Sequence, residues 1–106
     1  MTRDSVVDGR FVAFADVVRR RLLYYLCSSS SDDNEIAFET LVSRLADDDT
    51  FGSHTRAQMR LNLVHVHLPK LEQANLIEHG DGTVRLVVAP DVVTRSLELA
   101  HRFDSI

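Results

Sequence analysis

Apolar residues recur at helical spacing from Phe11 to Cys27, where Phe11, Phe14, Ala15, Val18, Leu22, Tyr25 and Leu26 mark the inner face of a first helix. The polar run from Ser28 to Asn34 interrupts the pattern as a connector. Glu35-Ile36-Ala37 reads as a short strand that pairs with a later hairpin, and Phe38 to Ala46 as a second helix with Leu41, Val42 and Leu45 inward. Thr50 to Ser53 forms a turn. A third helix, capped by Ser53 or Thr55, then runs to about Ala74. Steps of four and three place Ala57, Leu61, Val64, Leu68 and Leu71 on its inward stripe. Met59, Leu63 and Val66 form a second stripe nearly opposite, and a helix apolar on two sides is buried on two sides. Pro69 lacks the amide that would bond the His65 carbonyl and is expected to bend this helix.

Asn75 stops the third helix, because the chain past a last helical turn favours a positive φ that Gly tolerates best and Asn next best. Asp81-Gly82 supplies the same freedom for a two-residue hairpin turn. Leu76 to His79 and Thr83 to Val88 flank it as strands, with Val84, Leu86 and Val88 alternating against Thr83, Arg85 and Val87. Pro90 opens a final helix with Asp91 in its first turn and Val93, Leu97 and Ala100 on one stripe, joined by Val92, Leu99 and Phe103. Helix, cap and hairpin in that order describe a winged helix-turn-helix. The expected fold is mostly α with a small β-hairpin, a single domain over residues 1–106 with the wing at about 76–88 and a C-terminal dimerisation helix at about 90–104. Roughly Thr50 to Leu61 exceeds the simple repressor pattern, so the third helix is either lengthened or preceded by a separate short one.

His67-Leu68 through Ala74-Asn75-Leu76-Ile77 resembles the second half of the helix-turn-helix in small prokaryotic winged-helix repressors, with Asn75 at their usual Gly position. Most of the chain resembles an uncharacterised haloarchaeal winged-helix family. Arg19-Arg20-Arg21-Leu22-Leu23-Tyr24-Tyr25-Leu26 and His65-Val66-His67-Leu68-Pro69-Lys70-Leu71 carry that likeness. The resemblance implies a fold and a regulatory role.

At 106 residues the chain suffices for one core. Its 44% hydrophobic and 26% charged composition fits a soluble globular protein, and no apolar run reaches the roughly 18 residues of a membrane span. The lone Cys27 makes no internal disulfide, so an intracellular, cytoplasmic location is expected. Arg outnumbers Lys eleven to one and Asp outnumbers Glu eleven to five, a bias that resembles salt-adapted proteomes. At molar salt the Debye length falls to roughly 3 Å, so a net charge of −4 says little against DNA binding and only the local contact surface matters.

Gln58, Arg60, Asn62, His65 and Lys70 spread over the outer surface of the third helix, and Arg85 is the natural wing contact. Arg and Lys contact phosphate or guanine, while Asn and Gln read adenine. These residues nominate double-stranded DNA as the partner of a homodimeric regulator. Met59, Leu63, Val66, Val93, Leu97, Ala100 and Phe103 are the expected dimer contacts, and a protein partner on the Met59-Leu63-Val66 stripe is the alternative. Arg19 to Arg21 fan over about 200° and cannot share one ligand, which makes them solvated or ion-paired. Asp47-Asp48-Asp49 repels itself and favours solvent, without the spacing of a calcium loop. His65 and His67 diverge by a similar angle, so one is expected to hydrogen-bond near the Pro69 bend and the other to face water. No phosphate loop, nucleophile elbow or metal-ligand spacing is present, so neither catalysis nor a cofactor is expected.

Overall fold

The computed structural model describes residues 14–29, 34–48 and 55–104, with 99–104 described by their backbone alone. These residues form α1 (Val17–Cys27), β1 (Glu35–Ala37), α2 (Phe38–Ala46), α3 (Arg56–Asn62), a π-helical turn (Leu63–His67), α4 (Leu68–Gln73), β2 (Ile77–Gly80), β3 (Thr83–Leu86) and α5 (Pro90–Asp104). The architecture is mostly helical with one small antiparallel sheet in the order β1-β3-β2. No helix among the described residues is long and apolar enough to cross a membrane.

α1 begins later than the apolar spacing implies. Asp16 is extended (φ −108°, ψ 135°), and its carboxylate accepts the Val18 amide at 2.8 Å. An Asp N-cap satisfies amides that a first turn leaves unpaired and is worth roughly 1 kcal/mol, enough to interrupt a helix otherwise continuous from Phe14. Phe11 lies outside the described residues. α2 has the bounds its pattern implies and buries Leu41, Val42 and Leu45, yet no side chain caps it. The Phe38 amide instead donates to the Gly82 carbonyl at 2.8 Å, so the hairpin turn caps the helix.

The third helix is one long rod made of α3, the π-turn and α4. Thr55 starts it with a capping box, in which its hydroxyl accepts the Gln58 amide and the Gln58 side chain accepts the Thr55 amide, each at 3.1 Å. The rod is continuous from Arg56 to Gln73, and Pro69 acts differently from a simple bend. In α geometry the Pro69 ring would press on the His65 carbonyl, which has no proline amide to bond. The chain widens just upstream into a π-turn, closed by the Leu68 amide bonding the Leu63 carbonyl five residues back. That extra residue puts Leu63, not Val64, one turn above Leu68.

The phase of the upper rod is therefore the reverse of the expected one. Met59 and Leu63 are buried, whereas Ala57, Leu61 and Val64 are exposed, Leu61 by 59%. Met59 and Leu63 were expected at a dimer contact; they are sealed in the chain's own core and cannot reach a partner. Val66 alone of that stripe stays exposed.

Asn75 ends the rod as expected, at φ 60°. The Leu76 amide bonds the Leu71 carbonyl at 3.1 Å and the Asn75 amide the Glu72 carbonyl at 2.9 Å, the paired bonds of a Schellman cap, with Leu71 and Leu76 both buried beneath. Asp81 and Gly82 both have positive φ (56° and 79°), as a type I′ hairpin turn requires. Its register pairs Gly80 with Thr83, His79 with Val84 and Glu78 with Arg85. β1 completes the sheet as expected, with Glu35 opposite Arg85 and Ile36 opposite Val84. The inner sheet face contributes Ile36, Ile77, Val84 and Leu86 to a core shared with Leu22, Leu23 and Leu26 of α1, the α2 edge, the rod and its cap residue Leu76, and Val93 of α5.

α5 folds back on α1. Val93, expected in a subunit contact, is fully buried in this core, and Leu97 packs on its margin. A helix with a core already in reach buries its best apolar position there first. The side chains of Ala100 and Phe103 lie outside the described residues.

Candidate functional site

The Arg19–Leu26 and His65–Leu71 motifs meet in space. Arg19 on α1 and His67 in the π-turn are both buried, and Arg19 Nη1 lies 3.1 Å from His67 Nδ1. An arginine only donates, so His67 Nδ1 accepts and the imidazole is neutral with its proton on Nε2. Asp16 Oδ1 is 4.0 Å from the same nitrogen, too far for a hydrogen bond, and is occupied by the Val18 amide. Burial pulls the His67 imidazole below its ordinary range; the Asp16 charge opposes this while Arg19 and Lys70 add to it. Burial likewise pulls Arg19 down, against Asp16. Arg19, expected among solvated or ion-paired arginines, is buried rather than solvated, feels the Asp16 charge, and ties the π-turn to α1. His67 is the hydrogen-bonded histidine near Pro69, and His65 is the exposed one.

The depressed His67 pKa fixes the sign of an acid effect. Below the ordinary value of 6.5 the unfolded chain binds the proton that folded His67 resists. Stability from this site is complete above that value and falls as pH drops through it. Thermal melts from about pH 8 to about pH 5 are expected to show this loss before the carboxylates titrate, and His67→Gln is expected to flatten it. An unchanged profile in that variant would assign the loss to other groups.

The remaining arginines of the first motif are also engaged. Arg20 Nη1 donates to the Phe14 carbonyl at 2.9 Å. Arg21 Nε and the Tyr25 hydroxyl both donate to Asp48 Oδ2, at 2.9 and 2.7 Å, so Asp48 is folded in rather than turned to solvent as its acidic run suggests. Burial first, and then this bond, push the Tyr25 hydroxyl up. Burial also raises the Cys27 thiol, which makes it a poor nucleophile. Among the described residues no group of three or more His, Cys, Asp or Glu gathers to hold a metal.

All six residues nominated for DNA are exposed: Gln58, Arg60, Asn62, His65 and Lys70 on the rod, and Arg85 on β3. Three are already engaged. Gln58 is half of the capping box. Arg60 Nε lies 3.2 and 3.1 Å from the two Glu39 carboxylate oxygens, and its Nη2 lies 2.5 Å from Oε1. These hydrogen bonds hold the Glu39 carboxyl below the usual carboxylate range. Arg85 pairs with Glu78 across the hairpin. Neither glutamate was singled out from the sequence. Glu78 was open to counting, because residues equidistant from the Asp81-Gly82 turn face each other; Glu39 is 21 residues from Arg60 and carried no signal.

These contacts define one continuous edge. Arg60 reaches Glu39 at the start of α2, and the neighbouring Phe38 amide bonds Gly82 at the hairpin turn, so rod, α2 and turn are adjacent. Beside the polar groups, Leu61 and Val64 leave an apolar strip on the rod, exposed by 59% and 46%.

No curated protein and no solved structure matches the chain. A family model does match, over residues 11–85, a span that includes both motifs, the rod and the hairpin up to Arg85. The chain belongs to the family described as Domain of unknown function (DUF7344).

Proposed function

We propose that this chain is a winged helix-turn-helix transcription regulator that lays the exposed side of the rod in the major groove of DNA and sets its hairpin against the adjacent backbone. The observation that carries this reading is the continuous edge from Arg60 through Glu39 and Phe38 to Gly82, which puts a helix face and a hairpin turn side by side. Asn62 and His65 are exposed on the rod and can meet base edges, while Arg60, Lys70 and Arg85 can meet phosphate. The resemblance to haloarchaeal winged-helix proteins agrees with this reading. Action as a homodimer is part of the proposal, with Val66 and Val92 as exposed apolar positions for a second copy.

A mobility-shift titration at several salt concentrations tests it, with Arg60→Ala and Arg85→Ala beside the parent. Parent binding is expected to weaken with salt, and each variant to reduce the log–log salt slope by about one. The exposure of Leu61 and Val64 favours a second reading, a protein-interaction module on the same scaffold. Failure to bind any genomic fragment, together with recovery of a stable heteromeric complex, would replace the first reading with the second.

A further inference from the structure

We propose that Glu39 and Glu78 are built-in competitors for phosphate, which hold Arg60 and Arg85 in ion pairs that a duplex must open and so weaken binding to DNA of arbitrary sequence. This rests on the DNA-binding reading above and adds a control on the same surface. Both arginines are among the exposed residues nominated for DNA, yet each is held by a carboxylate from a different element, α2 for Arg60 and β2 for Arg85. The Arg60 pair is bidentate, the geometry with which a guanidinium also grips phosphate, so the carboxylate occupies the fork that phosphate would take. Arg85 is flanked from both neighbouring strands, since Glu35 on β1 and Glu78 on β2 are both in register with it. In-register residues of neighbouring strands share a face, so this row carries one positive and two negative groups.

All four paired side chains are substantially exposed, Arg60 by 45%, Glu39 by 62%, Arg85 by 44% and Glu78 by 65%. An exposed ion pair opens at little expense, so the pairs are a brake rather than a lock. A guanidinium that moves from carboxylate to phosphate exchanges one anion for another, and the released carboxylate is left close to the DNA. The gain per phosphate contact is thereby reduced. Since non-specific binding consists almost wholly of such contacts, it bears the full reduction.

Titration of a mixed-sequence duplex with Glu39→Gln, Glu78→Gln and the double variant tests this. Each single variant is expected to bind about two- to fivefold more tightly at low salt, the double variant by roughly the product, with a steeper salt slope. Glu98→Gln, an exposed carboxylate on α5, makes the same change in net charge and is the control. Adding Arg60→Ala to Glu39→Gln is expected to abolish that variant's gain. If the parent binds and neither variant exceeds Glu98→Gln, or if the gain survives loss of Arg60, the competitor role is overturned while the DNA reading stands. If neither parent nor variants bind duplex at any salt concentration, the DNA reading fails and the competitor role falls with it.

Discussion

Leu63→Ala is expected to lower the unfolding free energy by about 2–5 kcal/mol, whereas Leu61→Ala, two positions away, should change it by no more than about 0.5 kcal/mol. Leu63 is fully buried in the core, and truncating it removes apolar contacts and leaves a cavity the surrounding side chains fill only in part. Leu61 is 59% exposed and has little to lose. A straight α-helical rod in phase with Leu68 and Leu71 would give the opposite ranking. Denaturant titration of the two variants therefore reads out the π-turn directly, and equal or inverted effects would refute it. The buried position of Leu63 also means that its loss would act on a monomer at any protein concentration. A leucine at a subunit contact would instead show a concentration-dependent midpoint.

Removing Arg19 or His67 is the second large effect. Arg19→Met is expected to destabilise by about 1.5–3 kcal/mol, because it removes a charge-assisted bond and leaves His67 Nδ1 without that donor in a buried site. His67→Ala also takes away the acceptor facing the Arg19 guanidinium, and a buried charge that loses a partner is costly. A double-mutant cycle separates these penalties from the pair itself, with an expected coupling of about 1–3 kcal/mol. Nitrogen chemical shifts of His67 at neutral pH should report the proton on Nε2. Coupling near zero, or the Nδ1-protonated form, would mean that the 3.1 Å contact does not hold the two motifs together.

The structural meaning of the two motifs lies in that contact. A proline that forbids a regular turn is accommodated by widening the rod, and the widened turn presents His67 inward, where Arg19 of α1 receives it. Rotation of the upper rod is thus tied to the packing of α1. Any change that breaks the pair is expected to alter which rod residues face outward, including the nominated DNA contacts Asn62 and His65.

Local features were legible in the chain because local chemistry decides them. The bounds and inward edge of α2, the left-handed cap at Asn75, the Asp81-Gly82 turn and the β3 alternation each depend on neighbouring residues and agree with the structure, as does the longer-range pairing of β1 with the hairpin. The phase of the upper rod did not follow from spacing, since a period of 3.6 residues holds only while every turn is α-helical, and the π-turn adds a residue between Leu63 and Leu68. Met59 and Leu63 changed from expected dimer contacts to core for that reason, and Val93 because α1 lay within reach. The partners of Arg19, Arg60 and Asp48 are far away in the sequence, so no local pattern could disclose them. By itself the sequence determined the order of helices and strands, the left-handed cap at Asn75 and the Asp81-Gly82 turn, the last two set by backbone preferences within a few residues. Tertiary packing alone decided which face of the rod is buried and which charges are paired, because burial and ion pairing depend on groups brought together only when the chain is folded.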